Sequence, residues 1–333
     1  MPMKKQKKLM EYVIMLFKKH GQKAFEKAKT DVLKEKMRPI QVHKAICYFM
    51  EESWHDVQHP ALMSLTCEAV GGNPAETIGV SAGIVLLAGA ADIHDDVIDC
   101  SKVKNGKLTV FGKFGKDIAV LVGDALLFKG LTLLYNACEK LSKDLRESIP
   151  KLVEQAFFEI GSAEALETEL KKEKYNITPE EYYSVIEAKA GVADTCAKIG
   201  ALLGGGSTNE VNMLGQYGRT LGILMEIRND FIDLFDPIEL KNRVKNECLP
   251  FPLLYAFQNL EIKYKIVQLL SGKKITNRTV HKLLNLVMDL NEVQKLKEKM
   301  KNLIDFQMKQ LHNYNIRIRD KLSILLQATI EDL

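Results

Sequence analysis

The chain has 333 residues, of which 46% are hydrophobic and 27% charged, with a formal net charge of +4. This is the balance of a globular protein of one or two domains. It is too weakly basic for a nucleic-acid binder, and no basic stripe is interleaved with aromatics. Cys47, Cys67, Cys100, Cys138, Cys196 and Cys248 are scattered with no CxxC pair. That spacing argues against a zinc or disulfide framework and points to reduced thiols in a cytoplasmic protein.

In chain order, the four lysines of MPMKKQKK read as a solvated tail, with a membrane-surface anchor as the alternative. The apolar YVIMLF that follows is short for a signal peptide and lacks a small-residue cleavage site. LMEYVIMLFKKHGQKAFEKAK predicts a helix with Met10, Val13, Ile14 and Phe17 on its core face. Breaks are expected at KMRP and GGNP. The nearly uncharged GVSAGIVLLAGAA suits a buried core helix, not a transmembrane span. KVKNGK and LLGGGSTNE read as turns; the second lacks the preceding strand and GK[ST] of a phosphate loop. Thr178 before Pro179 starts a helix running to Gly191. LFDP and ECLPFP are further breaks. Val293, Leu296, Met300, Leu303, Ile304, Met308 and Leu311 then repeat at helical spacing. No alternating strand pattern with hairpin turns is found. The expected fold is one all-α domain over residues 1–333.

DIHDDVID, residues 92–99, stands directly after the apolar run. Asp92, Asp95, Asp96 and Asp99 are spaced i, i+3, i+4 and i+7, which puts four carboxylates on one helical face. Unpaired, they repel. A hard divalent cation turns that cost into binding. EIRNDFID, residues 226–233, repeats the pattern with Glu226, Asn229, Asp230 and Asp233. One acidic stripe is most simply a solvated surface. Two of matching spacing, both set in apolar sequence, suggest a cage for several Mg²⁺ ions and a diphosphate. His94 lies to one side of the first stripe and reads as structural. His20, His43, His55, His59, His281 and His312 form no spaced ligand set.

With both stripes in place the chain resembles the trans-isoprenyl diphosphate synthases, the farnesyl and geranylgeranyl diphosphate synthase family. DDVID and NDFID match its two DDxxD motifs, with Asn229 for the first Asp of the second. MRP, LVGDALL, IEAKAG, GRTLGILMEIRND and LPFPLLYA follow its other landmarks, so the likeness covers most of the chain. The resemblance implies a single large helical bundle of the isoprenoid synthase type, an allylic prenyl diphosphate as first substrate, three Mg²⁺ ions and a homodimer. It implies that Asp95, Asp96, Asp99, Asn229, Asp230 and Asp233 hold metal. Arg38, Lys104, Lys189, Lys241 and Lys245 would hold diphosphate, with Lys189 and Glu226 in catalytic positions. The allylic diphosphate would ionise to a carbocation, to be attacked by isopentenyl diphosphate or another acceptor. Residues four and five before the first motif, Ala91 and Ala90, would leave a deep chain-length pocket for chains of C20 or longer; the plainer alternative is close helix packing.

The departures from the family concentrate in the isopentenyl diphosphate half. Lys34-Glu35 stands where the family has glycine-lysine, Ala88 replaces a His or Gln, and Lys104-Asn105 replaces an arginine pair. Met225-Glu226 replaces Phe-Gln, and Ala190 replaces a threonine. Two other readings stay open: a class I terpene synthase using a prenyl diphosphate alone, and a non-catalytic subunit of a heteromeric synthase.

Overall fold

Apolar residues at helical spacing organise nearly every segment, and the structure, a computed structural model, is accordingly almost entirely helical. It describes residues 2–36, 38, 40–272, 275–331 and 333, without the side chains of residues 2–7, 313 and 316. Among the described residues the helices in order are α1 (Pro2–Leu33), α2 (Ile40–Tyr48), α3 (Gln58–Ala69), α4 (Ile78–Ile98), α5 (Val110–Phe114), α6 (Lys116–Cys138), α7 (Lys143–Leu170) and α8 (Pro179–Lys189). They continue with α9 (Gly191–Leu203), α10 (Thr208–Asp233), α11 (Pro237–Asn246), α12 (Phe251–Ala256), α13 (Leu260–Leu270), α14 (Asn277–Val287), α15 (Asn291–Gln310) and α16 (Ile316–Ala328). The tail lysines that were read as solvated belong to the first turns of α1, and most lie among the side chains outside the description.

The chain divides into two compact units. The first holds residues 1–156, 193–218 and 314–322. Its centre is α4, packed along α6 and against α1 and α3. Phe25, Ile46, Phe49, Leu86, Ile93 and Leu126 are all buried in one core there. Val13 and Leu16 form the core face of α1, whereas Ile14, expected on that face, is 51% exposed. A shift of one position turns a side chain by about 100°, so Ile14 falls outside that face, while Val13 is buried as expected and Phe17 packs against the core. The second unit holds residues 157–192, 219–313 and 323–333. Here α12 packs on α8, α14 and α15, with Phe251 set among Tyr182, Tyr183 and Tyr255.

Local signals explain the helix ends. Thr178 accepts from the Glu181 N–H while Glu181 accepts from the Thr178 N–H, a capping box, and Pro179 supplies the first helical residue. Ser207 and Glu210 cap α10 in the same way, so the GGGSTNE turn also carries a helix start. At KVKNGK the expectation of no hairpin fails. Val103–Lys104 and Lys107–Leu108 pair antiparallel, Val103 opposite Leu108. Asn105 (φ 52°) and Gly106 (φ 73°) form the two-residue turn, and two positive φ values in succession are what a type I′ hairpin demands. Asn-Gly is itself a hairpin signal; the strands are only two residues each, too short to show alternation.

Two helical stretches, Pro74–Ile98 and Lys116–Cys138, are long and apolar enough to cross a membrane; 61% of the most apolar window of the first is buried inside the protein.

Candidate active site

In the first unit the site is the C-terminal end of α4. The uncharged run commits α4 to the core, and the acids follow on the face where the core ends. Asp96 is 3% exposed and Asp99, the C-cap residue, is also buried. The hairpin returns Lys104 onto this face. Its Nζ lies 2.8 Å from Asp96 Oδ1, 3.4 Å from Asp92 Oδ1 and 3.4 Å from Asp95 Oδ2. Three carboxylates therefore converge on one cationic centre. Burial raises the Asp96 carboxyl to about 7, with Lys104 opposing and Asp92 adding to the rise. Burial likewise raises Asp92. Burial works against the Lys104 charge, but the acids outweigh it and hold the ammonium well above the usual lysine range.

His94, read as structural, has Nε2 3.3 Å from Asp124 Oδ1. The imidazole lies over Gly123, where any Cβ would collide with it. That explains the Gly-Asp of LVGDALL: the glycine admits the ring and the aspartate meets it.

The second unit holds the other stripe, at the end of α10. Glu226, Asp230 and Asp233 recur at i, i+4 and i+7. Asp230 takes a hydrogen bond from Arg243 of α11 and a second, at 2.8 Å, from the Phe251 N–H. Arg243 also lies 3.7 Å from Asp233 Oδ2 and 3.1 Å from Glu247 Oε2, and it donates to the Tyr182 hydroxyl at 2.9 Å. Burial drives Asp230 to about 7 against the pull of Arg243. Lys189 of α8 lies 2.6 Å from Glu167 and 3.0 Å from Glu164, both on α7. Burial raises Glu226 too; Lys189 opposes, while Asp230 and Glu167 add to the rise.

The expected residues are thus sorted unevenly. Asp95 and Asp96 meet at Lys104, and Asp230 and Asp233 meet at Arg243. Asn229 is exposed, turned off the Asp230 face. Lys241 and Lys245 are exposed, and Arg243 between them is the cation that reaches the stripe. Arg38 is exposed; its neighbour Pro39 in the MRP landmark lies outside the described residues. Ala90 is buried in the core and Ala91 is exposed. On the isopentenyl diphosphate side, Lys34 is 3.0 Å from Asp31, and Glu35 is ion-paired with Lys129 of α6. Sequence reasoning missed Arg243, Glu164 and Glu167. The i, i+3 spacing of the two glutamates on an otherwise apolar face of α7 was the available signal.

Hard carboxylate oxygens, buried and outnumbering the cations among them, suit Mg²⁺. Among the described residues no three Asp, Glu, His or Cys side chains close tightly enough to hold a metal by themselves. A divalent ion here would take one or two carboxylates and complete its shell with water and phosphate, its usual habit.

The polyprenyl synthetase family model matches residues 57–287. The chain belongs to that family. Among its relatives, a short chain isoprenyl diphosphate synthase of Methanothermobacter thermautotrophicus is 33% identical over 176 residues, 53% of each chain. A geranylgeranyl diphosphate synthase of Methanosarcina mazei is 31% identical over 228 residues, 67% of this chain and 68% of the relative. The match thus spans about half the length of the first relative and about two thirds of the second. The crystal structure of geranylgeranyl pyrophosphate synthetase from Pyrococcus horikoshii superposes with a TM-score of 0.81 at 21% identity, covering 97% of this chain and 99% of that one. The all-α fold is therefore that of the isoprenyl diphosphate synthase structures.

Proposed function

We propose that this member of the polyprenyl synthetase family is a Mg²⁺-dependent prenyltransferase. It ionises an allylic prenyl diphosphate and transfers the prenyl group to isopentenyl diphosphate or another acceptor, handling chains of C20 or longer. The observation that carries this reading is the convergence of Asp92, Asp95 and Asp96 on one cationic centre at the end of an apolar helix. Asp95, Asp96 and Asp99 in one unit, and Asp230 and Asp233 in the other, are the carboxylates for three Mg²⁺ ions, with Asn229 left beside the second set on the exposed side of α10. When bound, the metal neutralises charge building on the departing diphosphate. Lys104 and Lys189, each already held by carboxylates, donate to diphosphate oxygens, joined by Arg38, Lys241 and Lys245. Glu226 offers negative charge to the developing carbocation, and the apolar length of α4 keeps water from it.

The acceptor half supports a departure from isopentenyl diphosphate. Lys34 is engaged by Asp31 and Glu35 by Lys129, so the family's cationic contact is replaced by an internal ion pair. Weak use of isopentenyl diphosphate, or a different acceptor, follows.

Location and assembly belong to the same proposal. All six cysteines are free thiols, which suits the cytoplasm. On α6, Leu121, Phe128, Leu131 and Tyr135 are exposed at positions one to two turns apart, Phe128 by 76%. Such an exposed apolar stripe, broken by Asp124 between Leu121 and Phe128, suits a homodimer.

The test is to incubate the purified protein with Mg²⁺ and prenyl diphosphates of several lengths, with and without isopentenyl diphosphate, and to identify products by mass. Chain elongation or prenyl transfer is expected, lost in Asp95→Ala and on chelation. Cyclised or eliminated products without any acceptor would favour a terpene synthase, and no turnover of any prenyl diphosphate would sink the enzyme reading.

A further inference from the structure

The net positive charge of the chain is gathered on α1. Residues 1–30 hold nine lysines, two glutamates and no arginine or aspartate, a net charge of +7; the whole chain is +4, so the remainder sums to −3. Lys8, Lys18, Lys19 and Lys23 are exposed, and among the described residues none of them forms an ion pair. Farther along α1 the lysines are matched: Lys27 and Lys34 pair with Asp31, and Lys29 with Glu26.

The unmatched lysines flank a segment that is apolar on every side. YVIMLF, residues 12–17, has no polar face, and a helix of that kind is normally buried all round. Here the core takes Val13 and Leu16, while Tyr12, Ile14 and Met15 are left 36%, 51% and 56% exposed. Lys8, Tyr12, Met15 and Lys19 are spaced i, i+4, i+7 and i+11, so they follow one line on the outer side of α1. Glu11, Ile14 and Lys18, spaced i, i+3 and i+7, form the line beside it. The first line is bracketed by lysines about 16 Å apart along the axis. The shallow groove here ends at His55 and Gln22, where His55 Nε2 lies 3.2 Å from Gln22 Oε1.

This surface selects its occupant. A second copy of the chain would set one basic helix against another. A nucleic acid would meet the lysines but gain little from the aliphatic Ile14 and Met15, which offer bases no ring to stack on. An anionic bilayer uses both parts: aliphatic side chains enter the acyl boundary, and lysines lay their stems on apolar surface while their ammonium groups reach phosphate.

We propose that α1 docks in the plane of an anionic membrane surface, with Ile14 and Met15 inserted and Lys8, Lys18, Lys19 and Lys23 on headgroup phosphates. The lysines of MPMKKQKK strengthen the same attraction, and the cytoplasmic leaflet carries the complementary charge. The proposal does not depend on the prenyl diphosphate reading, although docking would set a C20 product beside the phase that dissolves it.

The purified protein is sedimented with vesicles of phosphatidylcholine alone and of equimolar phosphatidylcholine and phosphatidylglycerol, both free of prenyl diphosphate. It should pellet with the anionic vesicles only, and less as salt is raised. Ile14→Ser with Met15→Ser should lower the partition coefficient by about tenfold or more, with circular dichroism unchanged. Glu11→Lys replaces the one acid in the groove by a cation and should raise it by about tenfold. No pelleting with anionic vesicles overturns the proposal. Full retention of binding by the serine pair also overturns it, because charge alone then accounts for the attraction. RNA that displaces the protein from the vesicles at equal phosphate concentration overturns it in favour of a nucleic-acid surface. Should the serine pair fail to fold, Glu11→Lys decides, and an unchanged partition coefficient in that variant overturns the proposal.

Discussion

Arg243 shows how one residue can hold a site together. Its guanidinium faces Asp230, Asp233 and Glu247 at once, in a site where its side chain is 11% exposed. Removing it leaves Asp230 buried without its cation, and breaking a buried pair costs about 3–5 kcal/mol. Arg243→Ala is therefore expected to lower unfolding free energy by about 3 kcal/mol in urea titration and to cut turnover more than a hundredfold. Arg243→Lys should recover part of the stability but little activity, because lysine keeps the charge and loses the planar fork. His20 makes a different case. It is buried beside Ser64, to which its Nδ1 is hydrogen-bonded at 2.9 Å, and burial together with the charge of Lys321 lowers its pKa from 6.5 to about 4. As pH falls, the unfolded chain protonates this histidine first. The stability it contributes is complete above about pH 6.5 and is lost progressively as pH falls toward 4. The loss is on the order of 3 kcal/mol. His20→Gln should show a correspondingly flatter decline over that window in denaturant titrations run at several pH values, and parallel declines would refute the assignment.

The hairpin is the element that turns a charge pattern into a site. Lys104 reaches three aspartates only because the strand pair folds back directly after α4. Asn105 holds φ at 52°, a region that costs a residue with a branched Cβ about 1–2 kcal/mol. Asn105→Val should raise KM for the allylic diphosphate several-fold, whereas Asn105→Gly should leave it near the parent value. Steady-state assays at saturating acceptor decide between them. The link between Glu35 and α6 makes a second test. Glu35→Lys restores the family's cation but sets it against Lys129, so alone it should improve isopentenyl diphosphate use little. Glu35→Lys combined with Lys129→Gln and Ala88→His should lower KM for isopentenyl diphosphate more than any single change. Equal effects of the single and triple variants would show that the ion pair is irrelevant to the acceptor.

For the molecule as a whole, the exposed stripe of α6 bears on assembly. Phe128 and Leu131 stand free on a helix otherwise apolar enough to be a core element. Phe128→Glu with Leu131→Glu should convert a dimer to a monomer in light scattering at micromolar concentration, with the circular dichroism unchanged. A parent protein that is monomeric under the same conditions would remove the dimer from the proposal.

The helices, the two acid stripes and the family were readable from residue order, because helical periodicity and carboxylate spacing are local properties. Val293, Leu296, Met300 and Ile304 are buried as their spacing requires, and Asp95 and Asp96 stand at the end of the core helix as the run before them predicts. What depends on distant segments was not readable. Lys241, Arg243 and Lys245 are equivalent cations in sequence, and only the packing of α11 selects Arg243 for Asp230. Glu167 lies 22 positions from Lys189, and no pattern in either segment names the other. The Asn-Gly hairpin was written in two residues, but its strands are too short to announce themselves, and Lys104 gains its partners only through the fold-back. Ala90 and Ala91 look alike beside the motif, yet the helix buries one and exposes the other. Local spacing determined which faces exist; tertiary packing decided what each face meets.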